Sequence, residues 1–304
     1  MKKYYFIIFI ILLFSPLVSK AAILYLSPEG DEYHLGDVFM VGIKIDTEGE
    51  YINTVQVDLN FSADILEIQD LSEGNSILTL WVKEPSVTED SPPLGLISFI
   101  GGVPGGYEGL DGLIGTIVFR VKNPVRNYAQ VLFEKSSKAL LNDGKGTEAK
   151  LTAQGKIFNI LAGKLEEPEN EWQRNLAQDK TSPQSFKIEL SQNSLIFDGK
   201  YFITFSTADK QTGIDHYEIK ESRKEWKVVS SPYVLENQKL TSDIKIKAVD
   251  KAGNYWLETL KASNKIEKKL EIIVLVFILM FIIIGIGWII RKRELKKRLK
   301  DEIQ

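Results

Sequence analysis

The stretch INTVQVDLNF at 52–61 alternates with a period of two. Val55, Val57, Leu59 and Phe61 fall on one side; Thr54, Gln56, Asp58 and Asn60 fall on the other. Successive side chains of an extended chain point to opposite faces, so this pattern predicts a strand with one buried face and one wet face. Similar runs occur at 23–26 (ILYL), 38–45 (VFMVGIKI), 95–100, 113–122 (LIGTIVFRVK), 129–134 (AQVLFE) and 156–161 (KIFNIL). Turn-forming stretches separate them: SPEGDEY, DTEGEY, KNPVRN and NDGKGTE. No convincing amphipathic helix precedes residue 160. Many short strands with Gly and Pro corners predict an antiparallel sandwich.

The two ends set the expected compartment. Residues 1–21 combine Lys2 and Lys3, an apolar run from Tyr4 to Phe14, and small residues at Ser19 and Ala21. These are the parts of a secretory signal peptide, and the run is short for a membrane span. Ile272 to Ile290 is a 19-residue stretch without charge. At ~1.5 Å per residue it would reach roughly 28 Å, close to the thickness of a bilayer's hydrocarbon core. Trp288 sits near one end, where an indole favours the headgroup level. The tail 291–304 carries seven Lys or Arg against three acids. The expectation is a single-pass cell-membrane protein with a transmembrane helix at 271–290, its N-terminal domains extracellular and its basic tail cytoplasmic.

Between the ends, residues 22–271 hold 28 basic and 38 acidic residues, a net charge of −10. Such an acidic region argues against nucleic acid as a partner. Cysteine is absent. An exported chain without disulfides relies on its core, and thiol nucleophiles and zinc–thiolate sites are excluded. The two histidines, His34 and His216, show no metal-ligand spacing, and no G-x-S-x-G elbow occurs. No catalytic residue and no metal ligand is assigned, and the expectation is a protein that is not an enzyme.

Eight glycines fall within residues 95–122. A phosphate loop would need a Lys and a following helix; here a strand pattern follows. A calcium loop needs alternating oxygen ligands, and only Glu108 and Asp111 are present. Gly101, Gly102, Gly105 and Gly106 are read as a wide turn, and Gly112 and Gly115 as a corner or bulge. The turn at 142–148 is a second, weak calcium candidate, so no cofactor is assigned beyond a possible Ca2+.

Residues 161–182 lose apolar periodicity and read as a linker, with a helical turn around Trp172. Its acids, Glu166, Glu167, Glu169 and Glu171, are expected to be solvated. From 183 to 262, FKIEL, KYFITFST, DHYEIKE, KEWKVVS and DIKIKAVD read as strands, with turns at FDGK, DKQTG and DKAGN. About seven strands in 80 residues suggest an immunoglobulin-like or fibronectin III-like sandwich. In the last turn Asp250 is expected to accept backbone N–H bonds, with Gly253 at positive φ. TGIDHYEIK and IKIKAVDKAGNYW resemble bacterial surface Ig-like repeats, which implies a spacer. Trp226 and Trp256 are read as packing residues.

The first module resembles the cohesin family of jelly-roll sandwiches, related to carbohydrate-binding modules. ILYLSPEGDEYHLGDVFMVGIKI, INTVQVDLNFSADILEI, LISFIGG, DGLIGTIVFRVK and LLNDGKGTEAKL carry the likeness in order, across about 23–160. It implies an all-β ectodomain: a jelly-roll sandwich at 22–160, then the Ig-like sandwich at 183–262. Dockerin-binding members carry Asn and Asp where Thr54 and Gln56 stand here, and an acidic loop where Gly101 to Gly106 is neutral. These departures speak against dockerin itself. The resemblance implies recognition of a polysaccharide or of an envelope protein's docking module. Thr54, Gln56, Asp58, Asn60, Trp81 and Tyr107 are the candidate ligand-binding residues, with Tyr51 as a further aromatic. The rival expectation is a structural stalk with no ligand.

Overall fold

The computed structural model describes residues 21–91, 94–163, 165–262, 273–284 and 291–292. The expected signal peptide at 1–21 lies outside the described residues except at its last position, and so does all but two residues of the basic tail. The chain divides into two compact units. Unit 1 comprises residues 1–184, 208–215 and 250–254; unit 2 comprises 185–207, 216–249 and 255–304.

Unit 1 is a two-sheet sandwich. One sheet holds β1 (Ala22–Pro28), β3 (Val38–Asp46), β5 (Leu66–Ser72), β8 (Gly112–Val121) and β11 (Leu151–Gln154), in the order β11-β1-β3-β8-β5. The other has the order β2-β12-β9-β4-β7-β6, with β10 also pairing β4. Its strands are β2 (Glu32–His34), β4 (Ile52–Ser62), β6 (Leu80–Ser91), β7 (Leu94–Tyr107), β9 (Tyr128–Phe133), β10 (Lys138–Leu141) and β12 (Lys156–Leu161). Pairing is antiparallel except β1 with β11 and β2 with β12.

The alternation at 52–61 is realised in the facing of its side chains, although Asp58 on the outer side is buried too. Val55, Val57, Leu59 and Phe61 are buried between the sheets with Phe39, Val41, Ile43, Ile114, Phe119 and Phe158. Each such side chain contributes roughly 1.5–3 kcal/mol of burial. The aromatic centre is dense: Tyr33 stacks on Phe39 at 3.8 Å between centroids, and Phe158 meets Phe39 edge-on at 5.3 Å. Without disulfides, this packing carries the unit.

Three readings need correction. First, Gly101 and Gly102 are not a turn; β7 runs through them to Tyr107. A Cβ on Gly101 would lie 2.5 Å from Leu78 Cδ1, so close packing is what requires glycine there. Gly105 and Gly106 do have positive φ, and the register shift of β3 against β8 falls opposite Gly115 as a bulge. Second, residues 161–182 are not a free linker. Helix α1 (Glu171–Gln178) forms around Trp172, with the Asn170 side chain accepting the Gln173 N–H at 2.8 Å as N-cap. Glu171 is buried and its Oε2 accepts the Met40 N–H at 2.7 Å. The Glu169 N–H is bound by Asp37 Oδ1 at 3.0 Å. Glu171 thus caps the backbone of β3, a tertiary role that composition does not reveal, while Glu166, Glu167 and Glu169 are exposed as expected. Third, β2, β5 and β6 form outside the alternating runs, and β10 and β11, at the two ends of LLNDGKGTEAKL, lie in different sheets rather than pairing as a hairpin.

Unit 2 holds a three-stranded sheet, β13-β14-β17, and a four-stranded sheet, β16-β15-β18-β19. Their ranges are β13 (Glu189–Gln192), β14 (Tyr201–Thr204), β15 (Ile214–Glu221), β16 (Lys227–Val229), β17 (Tyr233–Val234), β18 (Ile244–Asp250) and β19 (Tyr255–Leu260). Phe186, Ile203, Phe205, Ile219, Ile246 and Ala248 fill the core between them. Seven strands match the expected number. Trp226 is half-buried, with the Lys247 ammonium 4.4 Å from its ring centroid.

Of the expected span at 271–290, residues 273–284 are helical and all twelve are exposed. Among the described residues no helix is long and apolar enough to cross a membrane. The rest of the stretch lies outside the described residues.

Candidate functional site

Strand β4 lies inside its sheet, with β7 on one side and β9 and β10 on the other. Residues paired across an antiparallel ladder share a face. The wet side of β4 therefore extends in rows. Gln56 stands between Lys138 and Ile100, Asn60 between Leu132 and Leu96, and Thr54 between Leu140 and Gly102, while Asp58 faces Ser98. Across β7 the rows continue to Lys83, Ser86, Thr88 and Leu80 of β6.

The polar centre of this face is knitted together. Asp58 Oδ2 accepts Gln56 Nε2 at 2.8 Å, and Asp58 Oδ1 accepts Ser98 Oγ at 2.6 Å. Lys83 Nζ donates to Ser98 Oγ at 2.7 Å. Asn60 Nδ2 donates to Glu134 Oε1 at 2.5 Å. Asp58 is only 8% exposed. Burial pushes its carboxyl up, but hydrogen bonds from Ser98, Gln56 and Ser136 and the nearby Lys83 outweigh that and hold it below the usual carboxylate range. The anion thus locks its neighbours into one arrangement. Around this centre stand exposed apolar side chains: Leu80, Leu94, Leu96 at 40% and Ile157 at 59% exposure. The arrangement is a mixed surface, with hydrogen-bonded polar groups at its centre and exposed apolar groups around them.

Thr54, Gln56, Asp58 and Asn60 are brought together on this face as read. Trp81 and Tyr107 are not. Trp81 pairs with Gly101, which pairs with the buried Val55, so Trp81 belongs to the inward side; its ring meets Phe99 at 5.7 Å and it bonds the half-buried Glu73. Tyr107 pairs with the buried Ile52 and packs on the core. A Cβ on Gly109 or Gly112 would strike its ring within 2.7 Å. Neither aromatic is a free stacking platform. Among the described residues an aromatic that does reach this face is Tyr128, 43% exposed on β9, with the Arg126 guanidinium over its ring at 5.3 Å. Tyr51 is exposed at the turn beside Gly106.

The two weak calcium candidates are otherwise engaged. Asp111 accepts the Tyr25 hydroxyl at 2.6 Å and pairs with Lys44 at 2.9 Å. Asp143 accepts the Lys145 N–H at 2.8 Å and the Thr147 hydroxyl. A separate cleft of about 370 Å³ is walled by Glu29, Glu32, Asp37, Glu169 and Glu171. Its buried acids are bound to backbone: Asp37 Oδ2 accepts the His34 N–H at 2.7 Å, beside the Glu169 and Glu171 contacts described above.

No family model and no curated protein matches the chain. Among solved structures it is similar to the sixth cohesin of scaffoldin B from Acetivibrio cellulolyticus, crystallised in complex with a Cel5 dockerin. That pair has 16% identity over 47% of this chain and 100% of the other, with a TM-score of 0.37. It is similar to a non-cellulosomal cohesin from the archaeon Archaeoglobus fulgidus, with 17% identity over 47% and 93% of the two chains and a TM-score of 0.35. It is also similar to the cohesin module of a Clostridium perfringens family 33 glycoside hydrolase, with 11% identity over 50% and 100% and a TM-score of 0.35.

Proposed function

We propose that the outer face of the seven-stranded sheet is a docking surface for a folded protein module, on a chain held at the outer side of a membrane by residues 271–290. The observation that carries this reading is the character of the face. An interlocked polar centre at Gln56, Asp58, Ser98 and Lys83 is rimmed by exposed Leu80, Leu94, Leu96 and Ile157. Pre-ordered, mixed surfaces suit protein association, where apolar anchors supply energy and fixed polar groups supply register. A polysaccharide site would instead present aromatic rings for stacking, and Tyr128 on this face is overlaid by Arg126. The geometry therefore favours a protein over a sugar.

The anchor reading is supported by the helix at 273–284, whose twelve apolar side chains are all exposed. An apolar helix that buries no face needs lipid or a partner around it. The tail's seven basic residues favour the cytoplasmic side.

The test is a paired experiment on the full-length protein: a glycan array beside affinity capture from the native envelope, with wild type and Leu96→Asp/Lys83→Glu. Capture of a discrete protein that the double variant loses supports docking. Glycan binding that survives the double variant contradicts it, and silence in both arms leaves the stalk as the better account. Protease shaving of intact cells that removed residues 22–262 and spared the tail at 291–304 would support the orientation.

A further inference from the structure

We infer that Asp179, Asp209 and Asp250 form a calcium site within unit 1. One carboxylate oxygen from each lies within 4.8 Å of the others, and all three residues are buried. They come from three chain segments: the end of α1, the turn at 208–215 and the turn at 250–254, all parts of unit 1. The sequence offers no local motif for such a set, because the three lie 30 and 41 positions apart.

The hydrogen bonds of the three acids leave a specific deficit. Asp179 accepts the Thr181 N–H at 3.0 Å on Oδ1 and the Thr212 hydroxyl at 2.7 Å on Oδ2. Asp250 accepts the Asn254 N–H at 2.8 Å and its side-chain amide at 3.0 Å. Asp209 Oδ1 accepts three backbone N–H groups, from Gln211, Thr212 and Gly213, at 2.9, 2.8 and 3.0 Å. Its Oδ2 is buried and has no partner, although the residue is only 3% exposed. Every donor to the cluster is neutral. Among the described residues no basic side chain pairs with the three; Lys251, next to Asp250, is committed to Asp70 at 2.5 Å and to the Leu71 carbonyl at 3.0 Å.

Two independent facts thus meet: three convergent buried carboxylates, and one carboxylate oxygen left without any partner. Buried anions that repel each other and lack a counter-charge are costly. A cation removes both problems. The donors are all hard oxygens with no His or Cys, which selects calcium or magnesium over zinc or copper. Oxygens bound to one calcium at ~2.3–2.6 Å are no more than about 5 Å apart, which the cluster satisfies. Three carboxylates held on irregular turns suit calcium's flexible geometry better than magnesium's strict octahedron. Binding would fasten the three segments together.

The test uses full-length protein in detergent. Wild type, Asp209→Asn and Asp143→Asn are titrated with CaCl2 by calorimetry, and each is melted in CaCl2, in MgCl2 and in EGTA. Asn at 209 keeps an oxygen for the three N–H donors, so the turn survives while the free carboxylate oxygen is lost. The expected result is one saturable calcium per chain and a Tm rise of roughly 5–10 °C at ~100 times Kd. Asp209→Asn should lose at least about tenfold in affinity and lose the Tm response, and Asp143→Asn should lose neither. No saturable binding by wild type up to about 10 mM would overturn the inference, whatever the variants do. So would wild-type affinity in Asp209→Asn, loss of binding in Asp143→Asn, or an equal response to magnesium.

Discussion

Replacing Asp58 tests whether the centre of the β4 face is a set of locked polar groups or a row of independent ones. Asp58→Ala removes the acceptor of Gln56 Nε2 at 2.8 Å and of Ser98 Oγ at 2.6 Å. With the Ser136 contact, three hydrogen bonds to an ionised acceptor are lost, each worth about 1.5–3 kcal/mol. Half-exposed Gln56 and exposed Lys83 recover part of this from water, and the cost of burying the carboxylate disappears with it. A net loss of about 2 kcal/mol is expected at pH 7. Asp58→Asn keeps one acceptor and should lose less. Because the folded-state carboxyl is held below its usual range, its stabilisation is present above the unfolded pKa of about 3.9 and fades as pH falls through the lower, folded value. The gap between wild type and Asp58→Asn should therefore be constant above about pH 5 and shrink below about pH 4. Urea unfolding of unit 1 at a series of pH values reads it. An Asp58→Ala stability within about 0.5 kcal/mol of wild type, or a gap that persists unchanged at low pH, would refute the reasoning.

Gly95→Ala places a Cβ 2.4 Å from two ring carbons of the fully buried Phe61, so it should cost about 1–3 kcal/mol in denaturant unfolding. Gly105→Ala meets open space at φ +92° and should show only the smaller backbone strain, about 1 kcal/mol. Burial pushes the Glu171 carboxyl up, so its ionised form is a cost carried at neutral pH. Glu171→Gln retains an acceptor for the Met40 N–H and should be at least as stable as wild type at pH 7; Glu171→Ala should lose about 1–3 kcal/mol and speed amide exchange at Met40.

What could be read from the sequence followed what is local. The period of two at 52–61 set which side chains of β4 share a face, because strand alternation needs no knowledge of neighbours; that Asp58 on the outer side is itself buried follows from groups such as Ser98 on another strand. The turn chemistry at DKAGN likewise held: Asp250 accepts the Asn254 N–H, and Gly253 has φ +88°. β6 escaped because LWVKEPSVTEDS carries Pro85 and several acids and pairs through repeated register shifts, as an edge strand can. Those same shifts turn Trp81 inward, which no spacing along the chain could show. Glu171 looked solvated because its partner, the Met40 N–H, is 131 residues away. Gly101 looked like a turn because the side chain that forbids a Cβ there, Leu78, arrives from another segment. The Asp179, Asp209 and Asp250 cluster was invisible for the same reason.

The most direct test of the docking face is site-specific photo-crosslinking in the native envelope. A photoreactive residue is placed at Leu96 or Leu80 on the β6–β7 side of the sheet, or at Thr152 on the exposed edge strand β11 of the opposite sheet. A discrete protein adduct from positions 96 and 80, and none from 152, is the predicted result. No adduct from the β4 face, or equal labelling from all three positions, would contradict it.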